Sequence, residues 1–490
     1  MDRFWELSKS VGGPIPAAIQ LGLAGLSLLT LIVFMLVPDR HLFFIEGSPN
    51  IFFASPLVII IAALTFLGWR AIAFFQQENL AGDGYVGVKK FLKANFPLLA
   101  FTFFNIAFVM IAFMNSHFWG SPFRDMSLRW WLNYFTLVVA IPSAWYLGRK
   151  VAWLNNKVIG AVLAAGLSLM TLLLLFEFLH LSGFQNFIGL WLERINSDAG
   201  YAVWIWNTME PVRAQGLGRF PGLYAAATLF AFCWALSSLG MKNVRSFVLV
   251  LSVFACYLTG TRSLFLAFAF AALVYLFAQA RERRLLAMIK RNFVRVILIS
   301  ATIFLLMGSV FLLTGMDNLT RGVSESTLSS GALTSVGNSV NSLSNQEQVP
   351  AELHQANSQD LMIWLYSFTS GRTEVWSDVV YVIEDNPLGV WDASQNVVSG
   401  HAHNEILDRL LTAGPISLFL YVLFLWWVAI KVRAPLASTF PAVFVAALIG
   451  FGLFDVVFAQ IVYAPVGFYL LGYLTSDRNR TLEKSVNLES

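Results

Sequence analysis

From Gly414 to Ile430 the chain holds no charged side chain, and comparable apolar runs recur along its length. In hydrocarbon every backbone N–H and C=O must be satisfied within the spanning structure, which leaves helices and closed barrels. Barrel strands would alternate apolar and polar residues in segments of about 10. These runs are unbroken, so they read as helices. With a span of about 20 residues as the ruler, apolar segments fall near 17–37, 51–69, 97–115, 130–147, 158–181, 222–240, 246–260, 264–279, 293–315, 414–430, 440–458 and 460–475. The sequence thus predicts an all-α polytopic membrane protein with about 12 transmembrane helices. With 57% hydrophobic and only 12% charged residues among 490, a soluble globule with an ordinary surface is excluded. Segments 246–260 and 264–279 are short and separated only by Thr261-Arg262-Ser263, so they are either two spans or one broken helix. No small-residue cleavage site follows the first run, which therefore reads as a retained span.

Basic residues set the orientation, because cytoplasmic loops are enriched in them. With the N-terminus inside, 22 of the 32 Lys and Arg fall in cytoplasmic segments. The remaining 10 are all Arg: Arg40, Arg124, Arg129, Arg194, Arg213, Arg219, Arg262, Arg321, Arg372 and Arg409. Both termini are expected in the cytoplasm. All six histidines fall on or beside the outer face. The organisation expected is spans one to nine within 1–315, including an outer loop at 182–221; a large outer loop at 316–404, flexible over 322–346 and helical over 361–385; spans ten to twelve within 405–475; and a cytoplasmic tail at 476–490.

An outer face furnished with Arg and no Lys goes beyond what orientation requires. Guanidinium is permanently charged and forks onto phosphate, although Arg40, Arg124 and Arg129 equally fit anchors at lipid headgroups. Arg213 and Arg219 stand just ahead of a span, in a loop shaped by Gly and Pro. Arg262 interrupts a stretch from Ser246 to Ala280 that is otherwise free of charge. The flanking Gly260, Thr261 and Ser263 allow a turn whose freed backbone groups line a cavity, and an anion site follows. Arg372 opens a segment in which Trp376, Val379, Val380 and Ile383 recur at helical spacing, the pattern of an amphipathic helix on the membrane surface. There Arg372 either meets a ligand or pairs with Glu374 or Asp378.

The densest chemistry is His401-Ala402-His403-Asn404-Glu405-Ile406-Leu407-Asp408-Arg409, leading into the charge-free run. Titratable groups at the mouth of a membrane helix are functional candidates, the alternative being an interfacial cap that anchors the helix. Cys233 and Cys256 lie inside apolar runs, and no ligand spacing implies a bound metal. Nothing implies a nucleic-acid partner.

These residues resemble the O-antigen ligase and polymerase family of bacterial inner-membrane glycan transferases. The pattern His-Asn, nine residues, Gly is matched by His403-Asn404 and Gly414. A family Arg with Leu four residues on is matched by Arg262 and Leu266, and an Arg-rich loop before a span by Arg213 to Gly216. Gly371-Arg372, Trp376 and Asn386-Pro387-Leu388-Gly389 match elements of the large outer loop. The resemblance implies a GT-C-like glycosyltransferase architecture, an undecaprenyl-diphosphate-linked glycan as donor, a lipid A–core or glycan acceptor, and neither metal nor nucleotide cofactor. It makes His403, Arg262 and Arg213 the catalytic candidates, with Arg219, Arg372, Asn404 and His401 binding substrate. Chemistry agrees: a diphosphate leaving group needs permanent cations, and an acceptor hydroxyl needs a base poised near neutrality. The leading expectation is an O-antigen ligase of the bacterial inner membrane with a periplasmic site; a polymerase using lipid-linked repeats is the alternative. A transporter would bury ionisable groups mid-span in paired interrupted helices, and beyond Glu177, Asp455 and Arg262 there are few.

Reporter fusions should read Lys242, Lys290 and Lys431 as cytoplasmic and Ser330 as periplasmic. A cytoplasmic signal at Ser330 would put the histidines and outer arginines on the wrong side of the membrane.

Overall fold

A long apolar segment closes its backbone hydrogen bonds on itself, and most of the described residues do so as helix. The computed structural model describes residues 22, 25, 93, 95–118, 128–150, 156–179, 214, 221–238, 241–281, 298–299, 301–309, 372–392, 402–432, 439–453 and 464–475. The expected span at 17–37 apart from Gly22 and Gly25, the span at 51–69, the loop 182–221 apart from Ala214 and Pro221, the stretch 322–346, the first part of 361–385 and the tail 476–490 lie outside these residues.

The helices are α1 (Phe96–Phe118), α2 (Leu128–Lys150), α3 (Asn156–Phe178), α4 (Pro221–Ser237), α5 (Lys242–Thr259), α6 (Arg262–Arg281), α7 (Arg372–Asp385), α8 (Glu405–Trp426), α9 (Phe440–Gly452) and α10 (Ala464–Leu474). A π-helical turn, Trp427–Lys431, continues α8. Among the described residues there is no strand. Among the described residues five helical stretches are long and apolar enough to cross a membrane: Phe96–Asn115, Lys157–Phe178, Lys242–Thr259, Ser263–Arg281 and Glu405–Lys431. The molecule is a helical membrane protein.

The ambiguous pair at 246–260 and 264–279 is two helices. Gly260 adopts φ 59 and closes α5 by donating its N–H to the Tyr257 carbonyl at 3.1 Å. Glycine takes this left-handed cap at little cost. Arg262 then opens α6 as its first residue.

Helices pair as α2 with α10, α6 with α9, α4 with α5, α3 with α5, and α1 with α2 and α8. Lipid is as apolar as leucine, so close backbone approach does much of the packing in a membrane. Gly148 on α2 and Gly472 on α10 meet on this basis, since a Cβ at either would strike backbone of the other helix. A continuous aromatic column crosses five helices. Phe101 stacks on Phe424 at 4.8 Å between centroids, Phe424 meets Phe468 at 5.6 Å, Phe468 meets Phe444 at 5.6 Å, and Phe444 meets Phe230 at 5.5 Å. Such pairs contribute about 0.5–1.5 kcal/mol each beyond their area.

The charge-free run expected to begin a span at Gly414 is the second half of a longer helix with a break in it. Ala413 (φ −140, ψ 23) and Gly414 (φ 66, ψ −162) leave helical geometry immediately before Pro415. Proline has no N–H to give and its ring crowds the preceding turn, so carbonyls there lose their usual donors. Two of them are met from outside: Val390 N–H donates to Leu411 O at 2.9 Å and Trp391 N–H to Thr412 O at 2.8 Å. The donors follow the turn Asn386-Pro387-Leu388-Gly389, closed by Gly389 N–H to Asn386 O at 2.8 Å. Gly389 (φ 86) and Gly414 face each other so closely that a Cβ on Gly414 would lie 2.5 Å from the Leu388 carbonyl. Trp391 then reaches α1, with its ring 6.0 Å from Phe104 and 6.2 Å from Phe108. The segment after α7 is thus joined to α8 through backbone.

Gly414→Ala should destabilise the solubilised protein by about 1–3 kcal/mol from conformation alone, because this φ/ψ region belongs essentially to glycine. Gly308→Ala, where nothing lies within 4 Å of the added carbon, should leave the thermal midpoint unchanged. Equal midpoints for the two variants would contradict the proposed fit of the turn in the break.

Candidate functional site

The first turn of α8 is fixed by its cap. Asn404 is extended (φ −154, ψ 118), and its Oδ1 accepts from the N–H groups of Ile406 at 3.0 Å and Leu407 at 3.1 Å. The Asn404 Nδ2 donates in turn to Leu453 O, just past α9, at 3.1 Å. One carboxamide therefore satisfies two orphan donors of the helix and ties its start to a neighbouring helix end. Glu405 and Asp408 lie in the first turn, where the helix dipole favours negative charge.

His403 precedes this cap with φ 49. A non-glycine residue in left-handed backbone is uncommon and persists only where the surroundings hold it. On its N-terminal side Ala402 is buried, and its carbonyl accepts the Trp376 indole N–H at 2.8 Å. Val379 of α7 packs with Val390, Ala402 and Leu411 in one apolar cluster. His403 thus sits half-buried between two anchored residues. The helix begins after it, so the chain turns at His403 itself.

Arg409, counted among the outer arginines, points inward. Its Nε and Nη2 each lie 2.8 Å from Glu405 Oε1, and its Nη1 donates to Asn105 Oδ1 of α1 at 2.9 Å. The guanidinium carbon stands 5.5 Å from the Phe101 ring centroid and 5.6 Å from that of Tyr421. Arg409 is 4% exposed and Glu405 1%, so the pair is internal to the bundle. Its guanidinium is engaged by protein groups on three nitrogens. The i,i+4 spacing of Glu405 and Arg409 was the one sequence signal for it; Asn105 carried none.

The arginine turn is built separately. Thr261 Oγ1 and Thr259 Oγ1 lie 3.1 Å apart, and Thr259 Oγ1 donates to Cys256 O at 3.0 Å. Ala214, the residue after Arg213, donates its N–H to Leu258 O at 3.0 Å. Ala214 therefore lies against the end of α5 at Leu258, four residues of chain before Arg262, which opens the next helix. α6 packs on α9, with Gly450 against the Ala267 backbone, and the residue after α9, Leu453, receives Asn404. Arg262 and the His403 segment are linked through a single intervening helix. Arg372 begins α7 one turn before Trp376. Arg213, Arg219 and His401 lie outside the described residues, and Arg262 and Arg372 are described by backbone position. Among the described residues no three His, Cys, Asp or Glu converge as metal ligands.

Residues 247–422 match the family model described as O-antigen ligase. The matched range holds Arg262, Arg372, Trp376, Gly389, His403, Asn404 and Gly414. Comparison with curated proteins finds no match.

Arg409→Met should cost about 3–5 kcal/mol, because it strands the Glu405 carboxylate in the bundle, whereas Arg409→Met combined with Glu405→Met should recover most of the loss. Unfolding of the solubilised variants measures both. A single variant as stable as the parent would mean the pair is wetter than its burial indicates.

Proposed function

On the match of residues 247–422 to the O-antigen ligase family model, we propose that this chain belongs to that family and is the ligase of lipopolysaccharide assembly. The described helices are those of a membrane protein, and the family reading implies a lipid-linked glycan and an acceptor as substrates. In the proposed reaction a polysaccharide passes from undecaprenyl diphosphate to lipid A–core at the periplasmic face of the bacterial inner membrane. The twelve-span, GT-C-like arrangement with both termini cytoplasmic belongs to this reading.

The observation that supports it best is His403: a half-buried imidazole on strained backbone, anchored on both sides, inside the matched range. An acceptor hydroxyl attacks the anomeric carbon of the donor and gives up its proton to His403. The bond from sugar to phosphate breaks, and undecaprenyl diphosphate leaves with the electron pair. Arg262, Arg213, Arg219 and Arg372 compensate the charge that develops on the diphosphate, in place of a divalent ion. Asn404, with both acceptor directions of its carboxamide oxygen used by the cap, holds the imidazole in place, and His401 lies beside the acceptor.

A deletion strain tests ligase against polymerase. Core without polymer, with long lipid-linked chains accumulating, is expected; core carrying a single repeat would make the protein a polymerase. His403→Ala should abolish transfer yet retain donor binding, since a base is felt only in the transition state. Arg262→Lys should lose most activity, since it keeps charge but not the fork. Normal decoration of core by the His403→Ala protein would sink the assignment of the base.

A further inference from the structure

Trp376 does more for the His403 segment than fill space. Its ring is half-buried, and its one polar atom crosses 26 residues of chain to the Ala402 carbonyl at 2.8 Å. That carbonyl belongs to the peptide joining Ala402 to His403, so the bond fixes the plane from which the imidazole departs. The peptides on the other side are fixed by Asn404, through the α8 cap and Leu453. With both flanks held, the φ of 49 at His403 is imposed by its neighbours.

The anchor is itself well seated. α7 carries Trp376 and Val379 toward the segment, and the turn after α7 delivers Val390 and Trp391 to the broken α8. Residues 376–391 therefore grip the stretch 402–412 at both ends, by one indole N–H at Ala402 and two backbone N–H groups at Leu411 and Thr412. Arg372 starts the same helix one turn earlier.

We propose that Trp376 is a positioning residue for glycan transfer: its indole N–H holds the peptide before His403 so that the imidazole stays aimed at the acceptor hydroxyl. The inference rests on the reading of His403 as the base. It assigns Trp376 no contact with substrate. A misplaced base loses turnover steeply, on the order of 100-fold for about 1 Å, while donor binding is untouched.

The experiment uses the full chain in lipid nanodiscs, a synthetic undecaprenyl-diphosphate oligosaccharide and purified lipid A–core. Turnover, donor affinity and thermal midpoint are measured for W376F, for the protein with 3-benzothienylalanine at 376, for H403A and for W376F/H403A. The benzothiophene keeps the bicyclic shape and lacks only the N–H, so folding is preserved if the phenyl ring leaves a void. Turnover of both replacements at 376 should fall between about 10- and 100-fold at unchanged donor affinity, and W376F should add nothing to the H403A loss. Wild-type turnover in the benzothienyl protein overturns the proposal, as does a donor affinity that falls in step with turnover. An H403A protein that retains turnover, while W376F slows it to the same degree, removes the base assignment and the positioning role with it. Loss at 376 that multiplies with a partial H403A loss removes the positioning role alone.

Discussion

A membrane helix that breaks leaves carbonyls without donors in a medium that supplies none. Everything at this end of the bundle follows from how the break at Ala413-Gly414 is repaired. Donors come from Val390 and Trp391, which requires the turn 386–389 to lie against the break, which in turn requires glycine at both 389 and 414. Once that turn is seated, α7 is committed to the same place, and Trp376 comes within reach of Ala402. The break also frees the first two turns of α8, Glu405 to Thr412, to take a direction of their own. Those turns hold the buried charges.

The Glu405–Arg409–Asn105 cluster is the second constraint. An ion pair removed from water gains stability only with close geometry and full hydrogen bonding, and here the guanidinium is engaged on three nitrogens and flanked by two aromatic rings. Its value lies in register: α8 can satisfy Arg409 only where Asn105 of α1 and Glu405 of its own first turn meet. Asn404, bonded to Leu453, fixes the same turn from the opposite side. The start of α8 is thus set against α1 and α9 at once.

Much of this was legible in sequence and some was not. Unbroken apolar runs announced the helices, since their period needs no partner to be read. The Gly260-Thr261 turn was legible as an interruption, though not that Arg262 would be the first residue of a new helix. At 401–409 the residue types were visible and an interfacial cap was the alternative reading, but not that Asn404 itself would form it, because an Asn before an apolar run reads equally as a ligand. Arg409 shows the main limit. Its charge was readable, while its inward direction depends on Asn105, 304 residues away. Trp376 was found as a member of an apolar stripe, and its donor role depended on Ala402, which carries no signal at all.

The seat of α7 on α8 is made of backbone donors, backbone acceptors and two residues without side chains. Such a joint is indifferent to most of the lettering around it. Ser377, Asp378, Val380, Tyr381, Glu384 and Leu388 all face away from it, and any of them can be exchanged without loosening the hold on the histidine. The face that α7 turns to its surroundings is therefore open to revision, while the joint beneath it stays fixed.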